Sequence, residues 1–186
     1  MKITWMRHGE TEWNRQRRIQ GRQDIPLAPT GRQQMIDLIA EWERIDRHWE
    51  AVVTSPLQRA FISGKIIADW LHIPLRIDDA FIERGFGILE GLCKDEWEPI
   101  TQGQPPENLD GVNFGMEIFS KMQQRLLVGI HKLQTKHAND RVLIVTHGSV
   151  IRYLSNWWEE PLKMIGNANW IEFKGDKANA YLYTRR

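Results

Sequence analysis

Cysteine is nearly missing from this 186-residue chain, which holds only Cys93. One thiol excludes an intrachain disulfide and any zinc site built on clustered thiolates, and it fits a reducing compartment. Long apolar runs are missing as well. None approaches the roughly 20 residues a helix needs to cross a bilayer. The first apolar stretch meets charge within a few residues, so neither membrane insertion nor export is expected, and the chain reads as cytoplasmic. Nor is one sign of charge in excess: 25 Lys and Arg stand against 24 Asp and Glu, a formal net charge of +1, which by itself calls for no polyanionic partner. Internal repeats, low-complexity tracts and domain boundaries are not seen. The length and the 41% apolar content fit one domain over residues 1–186 with a core of its own.

What is present is an alternation of short apolar runs and amphipathic stretches. Residues 2–6 read as a strand ending at Arg7-His8-Gly9, and residues 10–28 as an ordered polar loop. Pro29 opens a helical pattern to about residue 45, with Met35, Ile36, Leu38, Ile39 and Trp42 on one face. A strand over 51–54 ends at Ser55-Pro56, and a helix over 57–70 and a short strand over 74–77 follow. Glycine and proline keep 83–112 loop-like, with a short helix over about 90–98 and a lid-like insertion over about 88–115. The spacing then predicts a long helix over 115–137 and a strand over 141–146, whose unbroken apolar run marks it as central. A helix over 149–158 stopped by Pro161 comes next, then two strands, 170–174 and 178–183, joined at Gly175-Asp176-Lys177. The tryptophans at 42, 49, 70, 157 and 158 are read as packing onto the sheet, with exposure of Trp157 or Trp158 to a cleft or partner as the alternative. Such alternation specifies an α/β fold, whose strand ends are where sites are built.

Two histidines, His8 and His147, each end an apolar strand and precede a glycine. Zinc could use both imidazoles, but a third ligand is wanting, since neither an HExxH pattern nor a cysteine pair occurs. Phosphoryl chemistry accounts for more of the neighbours. A nucleophilic imidazole attacks in its neutral form, and the phosphate must be held by converging cationic or N–H donors. Arg7 adjoins His8, Arg59 lies one turn into the second helix, and Gly9 and Gly148 leave their amides open to close approach. The cluster Arg15, Arg17, Arg18, Arg22 and Arg32 reads as a solvated loop or as an anion-attracting rim. No aromatic stripe or recognition helix accompanies it, which argues against nucleic acid.

The segment Met6-Arg7-His8-Gly9-Glu10-Thr11-Glu12-Trp13-Asn14 resembles the first motif of the histidine phosphatase superfamily, on the branch that includes cofactor-dependent phosphoglycerate mutase and related phosphatases. Gln20-Gly21 with Asp24 continues the similarity. Ser55-Pro56-Leu57 with Arg59-Ala60 resembles the second motif, Glu83-Arg84-Gly85-Phe86-Gly87 with Glu90-Gly91 the third, and Val145-Thr146-His147-Gly148 with Ile151-Arg152 the fourth. The pieces stand in family order over most of the chain. The resemblance implies a three-layer α/β/α sandwich around a mostly parallel sheet, as in phosphoglycerate mutase. It implies that His8 becomes phosphohistidine, that Arg7, Arg59 and His147 bind the transferring group, and that Glu83 protonates the leaving oxygen and later accepts a proton from water. Asn14, Gly21, Arg84 and Gly148 are expected at the substrate; no cofactor or metal is. On composition alone His147 would be as good a nucleophile as His8.

The departures are informative. Ser63-Gly64 replaces the family's threonine-alanine, and Leu89 replaces an aromatic. Between Gly91 and Gly115 the only basic residue is Lys94, among Asp95, Glu96, Glu98, Glu107 and Asp110. A mutase must hold a second anionic group while its intermediate reorients, so the acidic stretch favours a phosphatase. Mutase-type transfer and a non-catalytic phospholigand-binding module are the alternatives. The expected partner is a small phosphorylated metabolite, with no nucleic acid and no membrane; a homodimer is left open. The short chain resembles the ribazole-phosphatase type, but the substrate is not readable.

Overall fold

Each strand of this chain is short and each helix carries one apolar face, so burial requires the strands to form a sheet covered on both sides. The computed structural model describes residues 1–45, 47–158, 162, 165–175 and 180–183. Six strands, β1 (Lys2–Arg7), β2 (Ala51–Thr54), β3 (Leu75–Ile77), β4 (Arg141–Thr146), β5 (Trp170–Gly175) and β6 (Ala180–Tyr183), lie in the order β3-β2-β4-β1-β5-β6. The first four in that order run parallel, and β5 and β6 add antiparallel pairings at one side. The central position read for β4 holds: it is flanked by β1 and β2, and Val142 to Thr146 are buried.

Alternation along the strands sorts the core into two halves. Trp5, Val53, Val142 and Ile144 face the helices α5 (Phe119–Lys136) and α6 (Gly148–Trp157), through Met122, Leu126, Ile130, Ile151 and Leu154. Met6, Val52, Leu143 and Val145 face α2 (Pro29–Arg44) and α3 (Gln58–Leu71), through Met35, Leu38, Trp42, Ala60 and Ile67. The period of two along a strand and the helical period on each flank thus meet in the three-layer sandwich.

Several elements differ from the sequence reading. The polar loop contains a short helix, α1 (Glu12–Arg15), closed by a capping box in which Thr11 and Asn14 satisfy each other's amides. The helix expected from 115 starts at Phe119, because Met116 and Glu117 give their N–H groups to the loop carbonyls of Gly111 and Gly85. The Asp110 carboxylate then accepts from the Phe119 amide at 2.8 Å. Within 90–98 only α4 (Lys94–Trp97) is helical. The 88–115 segment gathers its own small cluster, in which Phe86, Leu89 and Met116 pack with Ile19, Leu92, Trp97, Leu109 and Phe114. Trp42 and Trp49 are buried, and Trp158 packs on Phe173 with ring centroids 4.5 Å apart. The stop expected at Pro161 and the turn at Asp176-Lys177 lie outside the described residues.

Gly64 explains one departure. A Cβ there would collide with Thr54 Cγ2 and press on Val52, so glycine lets α3 approach β2 closely. Gly64→Ala is expected to destabilise the fold by about 1–3 kcal/mol through overpacking, despite alanine's helix advantage of about 1 kcal/mol. A lower urea midpoint with an unchanged slope checks this.

Candidate active site

Parallel pairing of β1 with β4 places their C-terminal ends side by side, so the residues that follow each strand must meet. His8 donates its backbone N–H to the Thr146 carbonyl, and the His8 and His147 ring centroids are 5.2 Å apart. β2 ends beside β4, and Ser55 donates its N–H to the Val145 carbonyl. Thr146 Oγ1 donates to the Phe81 carbonyl at 2.7 Å, which anchors the chain just before Glu83. The four motifs, far apart in sequence, are therefore brought to one sheet edge.

His8 is buried, and its Nδ1 lies 2.6 Å from the Gly9 carbonyl oxygen. A carbonyl only accepts, so Nδ1 carries the proton and Nε2 presents the lone pair. Burial, followed by the charges of Arg59 and Arg7, holds the imidazole pKa well below the ordinary 6.5. The ring is neutral at physiological pH, the state a nucleophile needs.

The two arginines are held by carbonyls. Arg7 donates through Nη1 to the Ile165 carbonyl at 2.6 Å, and Arg59 donates to Gln23 and Gly21 carbonyls at 2.7 Å each. Burial lowers the pKa of both, that of Arg59 to about 10, and a guanidinium in a protein keeps its proton at neutral pH. Arg7 Nε, Arg59 Nε and His147 Nδ1 are buried without a hydrogen-bond partner among the described residues. Buried donors are nearly always paired, and three unpaired ones around His8 describe a seat for oxyanion oxygens. Ser55 Oγ lies 2.7 Å from His147 Nε2 and accepts the Leu57 amide. When that hydroxyl donates to Nε2, the proton of neutral His147 sits on Nδ1 and completes the set.

Glu83 is buried, with Oε1 accepting from the Arg84 amide at 2.8 Å and Oε2 from the Ser149 amide at 3.3 Å. Burial raises its pKa above 4.5, against the opposing pull of those amides and of Arg59 and Arg7. The result is a carboxyl that can keep its proton into a less acidic range.

These groups surround a cavity of about 260 Å³ lined by Arg7, His8, Asn14, Gly21, Arg59, Glu83, Phe86 and Gly148, with Arg18 and Arg152 at its side. His147 is fully buried against His8 rather than on the cavity wall. The carboxamide oxygen of Asn14 accepts from Thr11 and Asn167, which leaves its NH₂ for the cavity. Gly21 has φ +52°, and a side chain there would collide with Glu90, whose carboxylate accepts from the Arg22 and Phe86 amides. Asp24 accepts the Gln58 amide at the start of α3, stapling the 20–24 loop to the arginine-bearing helix.

Arg84 lies beside this cavity, on the wall of a neighbouring one that shares Glu107, Ser149 and Arg152 with it. Its guanidinium donates to the Glu117 and Leu109 carbonyls and sits 4.1 Å from the Phe119 ring centroid. Its Nη1 is buried without a hydrogen-bond partner among the described residues, and its backbone amide donates to Glu83. Of the arginine cluster, Arg18 reaches the cavity, whereas Arg15 pairs with Glu12 and Arg22 with Glu117.

Two supporting residues carried no sequence signal of their role. Ser63 Oγ accepts the Gly9 amide and donates to the Arg59 carbonyl. Asn167 Nδ2 reaches the His8 and Gly9 carbonyls and Asn14 Oδ1 at 3.1–3.3 Å. Asn167 thereby steadies the carbonyl that fixes the His8 tautomer. Asn167→Ala is expected to lower kcat by about 10- to 100-fold with little change in KM, the scale of a small misplacement of the nucleophile. Steady-state kinetics together with a melting curve separate this from a loss of fold.

Comparison with known proteins follows the geometry. A family model described as the histidine phosphatase superfamily (branch 1) matches residues 3–181. An uncharacterized phosphatase PhoE of Bacillus subtilis is 39% identical over 152 residues, covering 82% of this chain and 74% of that protein. A metal-independent phosphoserine phosphatase of Arabidopsis thaliana is 32% identical over 160 residues, covering 81% and 66%. Among solved structures, a mycobacterial glucosyl-3-phosphoglycerate phosphatase superposes with a TM-score of 0.81 at 24% identity, over 91% of this chain and 90% of that one, and shares the fold.

Proposed function

Since the chain belongs to the histidine phosphatase superfamily, branch 1, and hydrolyses phosphomonoesters without a metal, we propose how its residues divide that reaction. His8 Nε2 attacks phosphorus, an N–P bond forms and the ester O–P bond breaks. Glu83 gives its proton to the departing oxygen. Water then attacks the phosphohistidine, Glu83 takes the proton it loses, and the N–P bond breaks to free phosphate and neutral His8. Arg7, Arg59 and His147 would hold the three oxygens of the transferring group, with Asn14 and the Gly148 amide at its rim.

The observation that carries this reading is the neutral, tautomer-fixed His8 facing two guanidiniums across a cavity that also contains a buried Glu83. A binding module would have no use for a proton donor beside a nucleophile. Hydrolysis over mutase-type transfer is supported by the pairing of three nearby cations, Arg152 with Glu107 and Asn108, Arg18 with Glu96 and the Gly91 carbonyl, and Lys94 with Glu98. The reading takes residues 1–186 as one unit, with 88–115 as a lid; Pro106 and Glu107 of that segment line the cavity. No helix of the described residues is long and apolar enough to cross a membrane. Cytoplasmic residence, a small phosphorylated metabolite in place of nucleic acid, and a homodimer belong to the same proposal.

An assay over simple phosphomonoesters with chelator present tests it, combined with acid-free trapping of labelled enzyme. The expected result is undiminished turnover and an acid-labile, alkali-stable phosphoryl label on the chain. Turnover abolished by chelator, or hydrolysis with no trapped label under burst conditions, would overturn the assignment.

A further inference from the structure

Beside the phosphoryl cavity lies a second one, of about 280 Å³, which the mechanism above does not use. Arg84, Phe119, Ser149, Tyr153, Asn156 and Trp157 line it, and the Arg152–Glu107 ion pair, closed at 3.3 Å, stands on its wall.

Arg84 sets the character of this space. The residue is 1% exposed. Its Nε and Nη2 donate to the Glu117 and Leu109 carbonyls, and Nη1 is buried with no partner among the described residues. Asp110 and Glu117 already act on its charge, so what is unmet is an N–H group. A carboxylate is the acceptor best matched to a guanidinium. The hydroxyls of Ser149 and Tyr153 and the carboxamide of Asn156 likewise make no hydrogen bond among the described residues. Phe119 is flanked by the Arg84 guanidinium, 4.1 Å from its ring centroid, and by the Tyr153 ring at 5.8 Å, which keeps those donors in place. Trp157 adds apolar area, and the volume exceeds the roughly 150 Å³ that accommodates a benzene ring. A few polar groups on a partly apolar wall of this size suit a ring-sized molecule carrying one carboxylate.

Two of the same residues hold the general acid. Glu83 Oε1 accepts from the Arg84 amide at 2.8 Å, and Oε2 from the Ser149 amide at 3.3 Å. A ligand that engages the Arg84 and Ser149 side chains therefore acts on the backbone that fixes Glu83.

We propose that the second cavity binds a small aromatic carboxylate at a site distinct from the phosphoryl seat, and that its occupancy tunes Glu83 through Arg84 and Ser149. The site stands independently of the phosphatase reading, whereas the tuning rests on it. Glu83 is faced by Arg7 from β1, Arg59 from α3 and Arg84 beside it, and neutral His8, Arg18, Arg152 and Glu107 line the same cavity. A bound carboxylate adds negative charge next to Arg84, whose guanidinium otherwise favours ionised Glu83. The acid then keeps its proton to higher pH.

Benzoate is the probe and uncharged benzamide its control, with inorganic phosphate present at saturation to fill the phosphoryl seat. Calorimetric titration is expected to give a dissociation constant of about 1 mM or tighter for benzoate, and binding at least about 10-fold weaker for benzamide. Arg84→Lys and Tyr153→Phe should each weaken benzoate several-fold. The tyrosine change removes one hydroxyl and leaves the ring, so the question stays decidable where the arginine variant fails to fold. In a phosphate-free assay with glycerol 3-phosphate, benzoate should move the falling limb of kcat/KM upward by about 0.3–1 pH unit, less than the roughly 1–3 units of a charge in direct contact. No benzoate binding, equal binding of benzoate and benzamide, displacement of benzoate by phosphate, or undiminished binding in both variants would overturn the site. Binding that leaves the limb in place would overturn the tuning. A folded protein that binds benzoate and turns over no ester would instead sink the phosphatase reading and leave the site standing.

Discussion

His8→Ala loses phosphomonoester turnover by about 100,000-fold or more, the scale seen when a covalent nucleophile is removed, and takes no phosphoryl label. No neighbour can substitute. His147 is fully buried with Nε2 engaged by Ser55, and what remains is a seat for phosphate with nothing to attack it. The fold should survive, and the pH dependence of its stability gives the control. Burial and two guanidiniums put the folded pKa of His8 below the ordinary 6.5. Below about 6.5 the unfolded chain binds a proton that the folded chain refuses, so the wild-type protein loses stability as pH falls through that window. His147 acts in the same direction. Removing His8 removes its share, so the melting temperature of the variant should fall less steeply between pH 7 and 5. Retained turnover in the folded variant would remove His8 from the mechanism.

Glu83→Gln is the second large effect, and it divides by substrate. With an alkyl ester the leaving alkoxide needs a proton, and kcat should fall by about 100- to 10,000-fold, the range of general acid catalysis. With 4-nitrophenyl phosphate the first step needs little help, so phosphoenzyme forms but its hydrolysis lacks a base, and a burst followed by slow turnover should appear. The pH profile carries the same signature. The pKa of Glu83 is raised above 4.5, chiefly by burial, so kcat/KM for alkyl esters in the wild type falls as pH rises through that raised value. The glutamine variant should lack this limb. A uniform loss across both leaving groups, with no burst, would point to a structural part for Glu83.

How far the chemistry could be read in advance depended on what kind of signal each residue left. The β4 run and the two histidine-glycine strand ends declare themselves through hydrophobic pattern, and the ordered motifs added roles for Arg59 and Glu83 that spacing alone could not supply. Asn167 left none: it acts across 159 residues on the His8 carbonyl, and a lone asparagine in a short connection is indistinguishable from a turn residue. Arg84 adjoins Glu83 in sequence, but which cavity its side chain reaches is set by the Phe119 face and the Leu109 carbonyl, which no sequence pattern reveals. The start of α5 was misplaced for a related reason. Amides at 116 and 117 were drawn off by loop carbonyls that no helical periodicity reveals.

Arg7 and Arg59 answer their buried charge with carbonyl dipoles and with the carboxyl of Glu83, joined at Arg59 by Asp24 and Glu90. The Nε groups of both still lack partners among the described residues, and a tetrahedral oxyanion that settles there supplies them. Through linkage, a ligand at about 100 times its dissociation constant adds roughly 2.7 kcal/mol to the folded state. The reaction's own product is such an oxyanion. A molecule built this way ties its durability to the phosphate pool around it: the medium that slows its catalysis by occupying the seat is also the medium in which it is hardest to unfold.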